Sequence, residues 1–191
     1  YDETTHEGKL RHLVMRSGLH TGQTLLSFVL NGRLAAKGIK ALVAAGAAGR
    51  PSTLTLNHNS KPGNVILGTH TEPLIGTGRI AERLDTWTLE FDTTSFFQVN
   101  TAQAEQLFRY AAEQVCGTDV LELYSGVGSL TCFLARPDRG SRVTAVEEWR
   151  SAVRMAERNM EANGLVVRLL CARAEEAVGD LRGSYGTVVV D

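Results

Sequence analysis

Acidic residues are missing from a long N-terminal stretch, since no Asp or Glu occurs from Gly8 to Thr71. The same stretch holds eight Lys or Arg residues and four His, a local charge of +8 with neutral His. From Thr93 onward the chain carries 13 acids against 10 basic residues. A one-sided basic surface attracts polyanions by counterion release, so the stretch predicts a surface for nucleic acid. Two alternatives stay open: a basic surface that binds nothing, or one that packs on an acidic neighbouring domain.

Cysteine is scarce, and its spacing gives no sign of a disulfide framework. Cys116, Cys132 and Cys171 form no C-x-x-C pair and have no His partner at ligand spacing. We therefore expect reduced, partly buried cysteines and assign no metal ligands. This cysteine usage predicts a cytoplasmic protein, or an organellar one if the source is eukaryotic.

Long apolar runs and a signal peptide are also absent from the sequence, so no membrane partner is predicted. The 191 residues are 43% hydrophobic, enough for one large or two small domains. The chain starts without Met and stops after an apolar run, which predicts a fragment of a longer protein. Nothing in the sequence indicates the oligomeric state.

A glycine loop stands at the centre of what the sequence does contain. The run Val120–Leu123 reads as a strand, Gly126 and Gly128 as a tight turn, and 129–135 as a helix. Thr131 replaces the third glycine of a dinucleotide fingerprint. Glu147 follows Gly126 by roughly the 20 residues expected of an acid that accepts ribose hydroxyls. A nucleoside cofactor and a plain strand–helix turn both fit this spacing.

Alternating strands and helices continue on both sides of this loop. In the second half they are predicted at 119–123, 129–135, 142–146, 150–162, 166–171, 174–181 and 187–191. This alternation favours a doubly wound parallel sheet, of which four strands are present. The first half reads as α+β, with strands at 13–16, 24–30, 52–57, 63–68 and 80–91 and a helix from Ala35 to about Gly46.

Several segments resemble the uracil-C5 RNA methyltransferases, the family that makes 5-methyluridine in tRNA or 23S rRNA. The resemblance covers nearly the whole chain, and its most specific part is Ser95-Phe96-Phe97-Gln98-Val99-Asn100. The other matching segments are Tyr1-Asp2-Glu3 with Gly8, Leu10, Arg11 and His12; Gly63 to Ile66; Gly76 with Ile80; and Glu122 to Gly128.

The resemblance implies a fold, a domain order and a cofactor. It implies an S-adenosylmethionine-dependent methyltransferase fold of Rossmann type over 95–191, incomplete at its C-terminus, preceded by an α+β domain over 1–94 whose basic surface faces RNA. The cofactor residues that it implies are Gln98, Tyr124, Gly126, Gly128, Glu147 and Asp191. Two positions differ from the family's usual residues: Ser125, often Cys, and Arg173, often acidic or Asn.

The resemblance also implies a reaction that this chain cannot complete with its own residues. In the family a cysteine thiolate attacks C6 of uracil, C5 takes the methyl group and a base removes the C5 proton. Both residues are expected downstream, so none of the three cysteines is assigned as catalytic and the chain alone is expected to be inactive. An N-terminal oligonucleotide-binding barrel and an iron–sulfur cluster occur in some members and are not visible here.

Three functions are therefore weighed against each other. The first is an S-adenosylmethionine-dependent RNA methyltransferase that makes 5-methyluridine in tRNA or rRNA, acting on an unstacked uridine. The others are a methyltransferase for another substrate and a non-catalytic RNA-binding module. A nicotinamide enzyme is a distant fourth, because Thr131 breaks the dinucleotide fingerprint.

Overall fold

The computed structural model describes residues 1–181 and 183–191, and their contacts divide the chain into two units. The first unit comprises Tyr1–Glu82 and Phe91–Thr94. The second comprises Arg83–Glu90 and Ser95–Asp191. None of the helices in the described residues combines the length and the apolar character that a membrane crossing requires.

The first unit is built on a four-stranded mixed sheet in the order β1-β2-β3-β4. β1 pairs antiparallel with β2, β2 pairs parallel with β3 across helix α1, and β3 pairs antiparallel with β4. The elements are β1 (Leu10–Ser17), β2 (Thr24–Leu30), α1 (Ala36–Ala47), β3 (Thr53–His58) and β4 (His70–Ile75).

The core of this unit lies between α1 and the two central strands. Phe28, Leu30, Leu54 and Leu56 are buried there, and each fully buried Leu contributes about 1.5–3 kcal/mol. Gly46 permits the close approach, because a Cβ at this position would lie 2.8 Å from Leu54 Cδ1. The predicted strands and helix of this part are confirmed over β1, β2, α1 and β3.

The strand predicted at 63–68 is wrong, and the structure gives the reason. The Asn59 side-chain amide donates to the carbonyls of Val65 at 2.6 Å and Ile66 at 3.0 Å. The carbonyl of Gly68 accepts from Asn57 Nδ2 at 2.9 Å. Side-chain amides therefore satisfy backbone groups that a sheet ladder would otherwise use. The fourth strand of the sheet begins only at His70.

A two-stranded sheet of β5 (Arg79–Leu84) and β6 (Trp87–Asp92) follows. Within the second unit, Asn163 on a later helix accepts from Thr88 N at 3.0 Å and donates to Thr88 O at 2.8 Å. Asn159 makes the equivalent pair of bonds with Glu90. Residues 83–90 consequently group with the second unit, while the predicted domain boundary after residue 94 stays a prediction.

The second unit carries a parallel four-stranded sheet in the order β10-β7-β8-β9. This arrangement confirms the predicted alternation and the α/β class. The elements are α2 (Thr101–Glu113), β7 (Asp119–Leu123), α3 (Ser129–Leu134), β8 (Arg142–Glu147), α4 (Arg150–Ala162), β9 (Arg168–Cys171), α5 (Ala174–Asp180) and β10 (Thr187–Val190).

Helix α2 begins with a side-chain cap from Asn100. The Asn100 side chain accepts from Gln103 N at 3.2 Å, a contact that stabilises a helix by about 1 kcal/mol. Phe108 of α2 then packs on Phe133 of α3, with ring centroids 5.7 Å apart. Leu121, Val146 and Ala177 form a further buried cluster between the sheet and α5.

Candidate functional site

The loop between β7 and α3 has an unusual backbone. Tyr124, Gly126 and Gly128 all have positive φ angles, of 63°, 57° and 86°. Such an angle is uncommon for a residue with a Cβ, and it tends to occur at functional sites. The Tyr124 hydroxyl lies 3.4 Å from Glu175 Oε1, and the ring stays partly exposed beside the loop. The loop therefore differs from a simple strand–helix turn and has the backbone strain that is typical of functional sites.

Glu147 holds this loop from the end of the neighbouring strand. One carboxylate oxygen accepts from Gly126 N at 2.9 Å, and the other accepts from Trp149 N at 2.8 Å. Ser125 N donates to Val146 O at 3.1 Å, which extends the pairing of β7 with β8 into the loop. The side chain of Glu147 is buried, yet each of its oxygens keeps a second lone pair. Glu147, the predicted acid, is thus in direct contact with Gly126 of the predicted glycine loop.

The two glycines of the loop have different roles. A Cβ on Gly126 would meet nothing within 4 Å, so this position faces open space that a ligand can enter. A Cβ on Gly128 would lie 2.9 Å from Met160 Cε and 3.4 Å from Ala156 Cβ. Gly128 therefore lets α4 approach the loop.

Asn159 fixes the same loop from α4 and was missed by the sequence analysis. Its amide donates to Val127 O at 2.9 Å, and the residue is buried. The sequence does contain one sign of this role, because Asn159 is a polar residue in the interior of the helix predicted at 150–162. Asn163, just past the end of α4, likewise bonds backbone groups through its side chain.

The strand order places a switch point next to the loop. From β7 the chain proceeds outward to β8 and β9 and then returns to β10 on the other side of β7. Ligands of open α/β sheets bind outside the carboxyl ends of the strands where the order reverses. Residues 124–128 follow β7 there, and Asp191 follows β10 with its N–H donating to Leu123 O at 3.2 Å.

Among the predicted cofactor residues, Gln98 is the one for which the structure shows the least contact with the glycine loop and Glu147. It is half-buried in the segment between β6 and α2, next to the buried ring of Phe97. Within residues 1–181 and 183–191 its side chain makes no hydrogen bond to the loop or to Glu147. Its predicted cofactor contact therefore stays a prediction.

Glu122 lies in β7 beneath the loop and is completely buried. Thr131 Oγ1 donates to one of its oxygens at 2.6 Å, and within the described residues the other oxygen has no partner. Burial, together with the charge of Asp191, raises the pKa of Glu122 to about 8. At neutral pH this carboxyl group is mainly protonated. Its signal in the sequence was an acid inside an apolar strand.

Trp149 and Arg173 complete the carboxyl edge of the sheet. Trp149 precedes α4 directly beside Glu147, and its side chain is 64% exposed. An exposed indole at this place offers a stacking face for a heterocycle. Arg173 precedes α5 and lies 3.8 Å from Glu175 and 3.9 Å from Glu176. Its positive charge is thus partly balanced by two acids in the first turn of α5.

A cavity of about 510 Å³ lies elsewhere, at the amino ends of the strands. Asp119, Arg142 and Arg168, the first residues of β7, β8 and β9, line it. The bidentate pair between Arg142 and Asp119 occupies part of this edge. Parallel sheets bind their ligands at the opposite edge, so we assign no cofactor to this cavity.

The carboxyl edge of the second unit is therefore acidic and open. Glu147 ends β8, Glu175 lies in the first turn of α5 and Asp191 follows β10, while Gly126 faces open space. Such an edge suits a ligand with ribose hydroxyls and a positive charge. It disfavours a ligand that brings a pyrophosphate, because like charges repel at short range.

Comparison with known proteins places this site in a family. The tRNA (Uracil-5-)-methyltransferase family matches residues 70–184. An uncharacterized RNA methyltransferase of Gloeobacter violaceus is 39% identical over 198 residues, covering 100% of this chain and 42% of that protein. A further one from Staphylococcus aureus is 31% identical over 183 residues, covering 93% of this chain and 40% of that protein.

Solved structures give the same result for the fold. The tRNA (uracil-54, C5)-methyltransferase of Pyrococcus abyssi, in complex with S-adenosyl-L-homocysteine, has a TM-score of 0.71 and 30% identity. It matches 87% of this chain and 40% of its own. A SAM-dependent methyltransferase of Agrobacterium tumefaciens has a TM-score of 0.54 at 15% identity, matching 97% of this chain and 60% of its own. The predicted Rossmann-like methyltransferase fold is thereby confirmed.

The chain spans about two fifths of the length of the curated relatives that it matches. The family match nevertheless extends over most of the chain, from His70 to Ser184, and includes the glycine loop, Glu147 and Asn159. The predicted family is confirmed: the chain belongs to the tRNA (uracil-5-)-methyltransferase family.

Proposed function

We propose that this chain is part of an S-adenosylmethionine-dependent RNA methyltransferase that makes 5-methyluridine in tRNA or 23S rRNA. The observation that carries the proposal is the direct bond between Glu147 and Gly126 N at the carboxyl edge. It joins an acid that could accept ribose hydroxyls to a loop that faces open space, an arrangement that suits a nucleoside cofactor. Membership of the family supports the reaction class.

The charge of the site favours S-adenosylmethionine over a dinucleotide. A sulfonium and an amino group are stabilised by nearby carboxylates, and Glu147, Glu175 and Asp191 supply them. When bound, the cofactor supplies a methyl group activated by the positive sulfur. Glu147 would accept the ribose hydroxyls, and Tyr124 with Gly126 would line the methionine end. Gly128 would act by keeping α4 against the loop.

Gln98 and Asp191 would complete the pocket from its two ends. Asp191 follows β10 on the far side of the switch point, adjacent to Leu123 and the loop. Gln98 would contact the cofactor from the half-buried segment between β6 and α2. Trp149 is an added candidate, since its exposed indole stands next to Glu147.

The cysteines of this chain do not suit the nucleophilic step. Burial raises the pKa of the Cys132 thiol to about 12, and only the thiolate attacks efficiently. Cys116 is exposed after α2, and Cys171 is exposed at the end of β9 with its thiol 3.7 Å from Glu148 O. In line with the resemblance, we place the nucleophile and the base outside residues 1–191 and expect these residues alone to be inactive.

RNA would contact the first unit through its exposed basic residues. Six of the eight Lys and Arg residues between Gly8 and Thr71 are exposed, among them Lys37 and Lys40 on α1. The other two serve the fold. Arg11 donates to the carbonyls of Asn59, Lys61 and Gly63. The phosphate contacts would position RNA without reading its sequence.

The test is a calorimetric titration of the chain with S-adenosylmethionine and, separately, with NAD. The proposal expects binding of the first and no binding of the second. Binding of NAD alone would overturn the cofactor assignment. Binding of neither by a folded chain, together with salt-dependent RNA binding, would favour the non-catalytic RNA-binding module.

A further inference from the structure

A cluster of metal-ligating side chains lies in the first unit, far along the chain from the glycine loop. We propose that His58, His70 and Glu72 form a binding site for a divalent transition metal ion of the Zn²⁺ type. One ligand atom of each residue lies within 4.8 Å of the other two. The sequence analysis assigned no metal ligands, because these residues come together only through strand pairing.

The pairing of β3 with β4 creates the cluster. His58 and His70 are directly opposite each other in the antiparallel register, and their rings stack with centroids 5.4 Å apart. Glu72 is two residues beyond His70 and therefore points to the same face. His58 Nε2 lies 3.1 Å from Glu72 Oε1. Two ligands of a tetrahedral ion with bonds of about 2.0–2.1 Å would stand at nearly this separation.

The backbone that carries the three residues is fixed by buried polar contacts. Asn57 Nδ2 donates to Gly68 O at 2.9 Å and to Thr71 Oγ1 at 2.7 Å, while its Oδ1 accepts from Gly68 N at 2.8 Å. Gly68 approaches β3 so closely that a Cβ would lie 1.8 Å from His58 O. These contacts determine the register that places His70 opposite His58. Only small side-chain rotations would then be needed to bring the three ligand atoms to a bound ion.

The donor set and the surroundings suit an open metal site. Two imidazoles and a carboxylate are a ligand set that Zn²⁺ uses where one position stays free for water or substrate. A cavity of about 620 Å³ adjoins the cluster and is bordered by Arg33 and Ser60. His58 and Glu72 are only partly exposed, with side-chain accessibilities of 26% and 46%. An ion would thus be held on one side by protein and reached from the other.

A simple ion pair accounts for only part of this arrangement. His58 and Glu72 could form such a pair by themselves. That pair does not involve His70, whose ring stacks on that of His58. A metal ion instead uses both rings in their neutral form together with the carboxylate. The presence of His70 as a third ligand-type side chain in the cluster is the observation that the ion pair leaves unexplained.

The experiment is a titration of the untagged, metal-free chain with Co²⁺, followed in the visible absorption spectrum, and then with Zn²⁺. The proposal expects one equivalent of Co²⁺ to give the intense bands of a four-coordinate ion, and Zn²⁺ to displace it. His70→Ala and Glu72→Gln should each weaken binding by about 100-fold, because even outer-shell changes cost about 10–100-fold.

His12→Ala is the matched control. His12 lies on β1 of the same sheet, 4.0 Å from Glu3, and its side chain is as accessible as that of His58. This variant should bind Co²⁺ like the parent chain. Circular dichroism of each variant shows whether it is folded, and Glu72→Gln is the variant least expected to disturb β4. Absence of four-coordinate bands in the folded parent, or an equal loss in His12→Ala and His70→Ala, would overturn the proposal.

Discussion

The two units use their charged residues in opposite ways. In the first unit the acid-free stretch from Gly8 to Thr71 leaves Lys37, Lys40 and four other basic residues exposed. In the second unit the carboxyl edge of the parallel sheet collects Glu147, Glu175 and Asp191. A net charge of −1 therefore hides two surfaces of opposite character. In the proposed function, the basic surface would contact a polyanion and the acidic edge would bind a cationic cofactor.

The units also differ in what their buried polar groups do. In the first, Asn57 and Asn59 satisfy the backbone of the segment that leads into β4. In the second, Asn159 and Glu147 hold the loop that faces open space. The first set fixes the register of β4 against β3, and the second fixes a loop that faces open space. Substitutions in the first unit should accordingly change RNA binding, and substitutions in the second unit should change cofactor binding.

The largest effect is expected from a side chain placed in the loop itself. Gly126→Asp should weaken S-adenosylmethionine binding by at least about 100-fold, because it fills the open space that the cofactor would enter. Calorimetry measures the effect. Gly126→Asn adds a side chain of the same size without the charge and also tolerates a positive φ, so it should weaken binding by a similar factor. An affinity for Gly126→Asp equal to that of the parent would remove the loop from the site.

A smaller loss is expected when the acid is removed. Glu147→Ala should weaken cofactor binding by about 1–3 kcal/mol, the range for losing hydrogen bonds to a charged group. Glu148→Ala, at the exposed neighbouring position, should leave the affinity unchanged. Equal affinities for the parent and Glu147→Ala would show that this carboxylate only braces Gly126 and Trp149.

The buried acid of the second unit should make its stability depend on pH. Glu122 has a pKa near 8 in the folded chain against an ordinary value of 4.5, so the folded state binds more protons between these values. Stability is therefore highest below pH 4.5 with respect to this group. It falls as pH rises toward 8, by up to about 1.4 kcal/mol per pH unit.

Glu122→Gln should flatten this dependence, because the amide does not ionise and can still accept from Thr131. Urea unfolding at pH 5, 6, 7 and 8 measures it, and the two chains should differ least at pH 5. Parallel pH profiles for both chains would mean that Glu122 does not carry the buried proton.

The smallest effect concerns the basic surface of the first unit. Replacing Lys37 and Lys40 by Ala should lower the salt slope of RNA binding by about 0.7–0.9 for each phosphate that is no longer neutralised. The matched control is the pair Arg154→Ala and Arg158→Ala, two exposed charges on α4 of the second unit. Filter binding across a salt series measures both slopes. An equal decrease in salt slope for both pairs would contradict the assignment of the RNA-binding surface to the first unit.

Sequence pattern predicted the second unit far better than the end of the first. The helix predicted at 150–162 and the strand predicted at 187–191 differ from α4 and β10 by at most one residue. Each element there has an apolar period and a clear stop, such as Gly164 after α4. The segment 63–68 was mistaken for a strand because Val65 and Ile66 are β-formers, although both are exposed.

For the site, the sequence indicated residues but not the contacts that they make. Spacing alone suggested Glu147 and the glycines, yet only packing shows that Gly126 faces open space and Gly128 faces Met160. Asn159 could not be assigned, because its partners Val127 and Glu90 are distant in sequence. The cluster of His58, His70 and Glu72 depends on a strand register that no local pattern encodes.

The most direct test of the central claim is a crystal structure of this chain with S-adenosyl-L-homocysteine. The account predicts density at the carboxyl edge of the β10-β7-β8-β9 sheet, with the ribose hydroxyls on Glu147 and the homocysteine end beside Gly126. Density in the cavity at the amino ends, between Arg142 and Arg168, would contradict it. So would a ligand at the carboxyl edge that leaves Glu147 without a ribose contact.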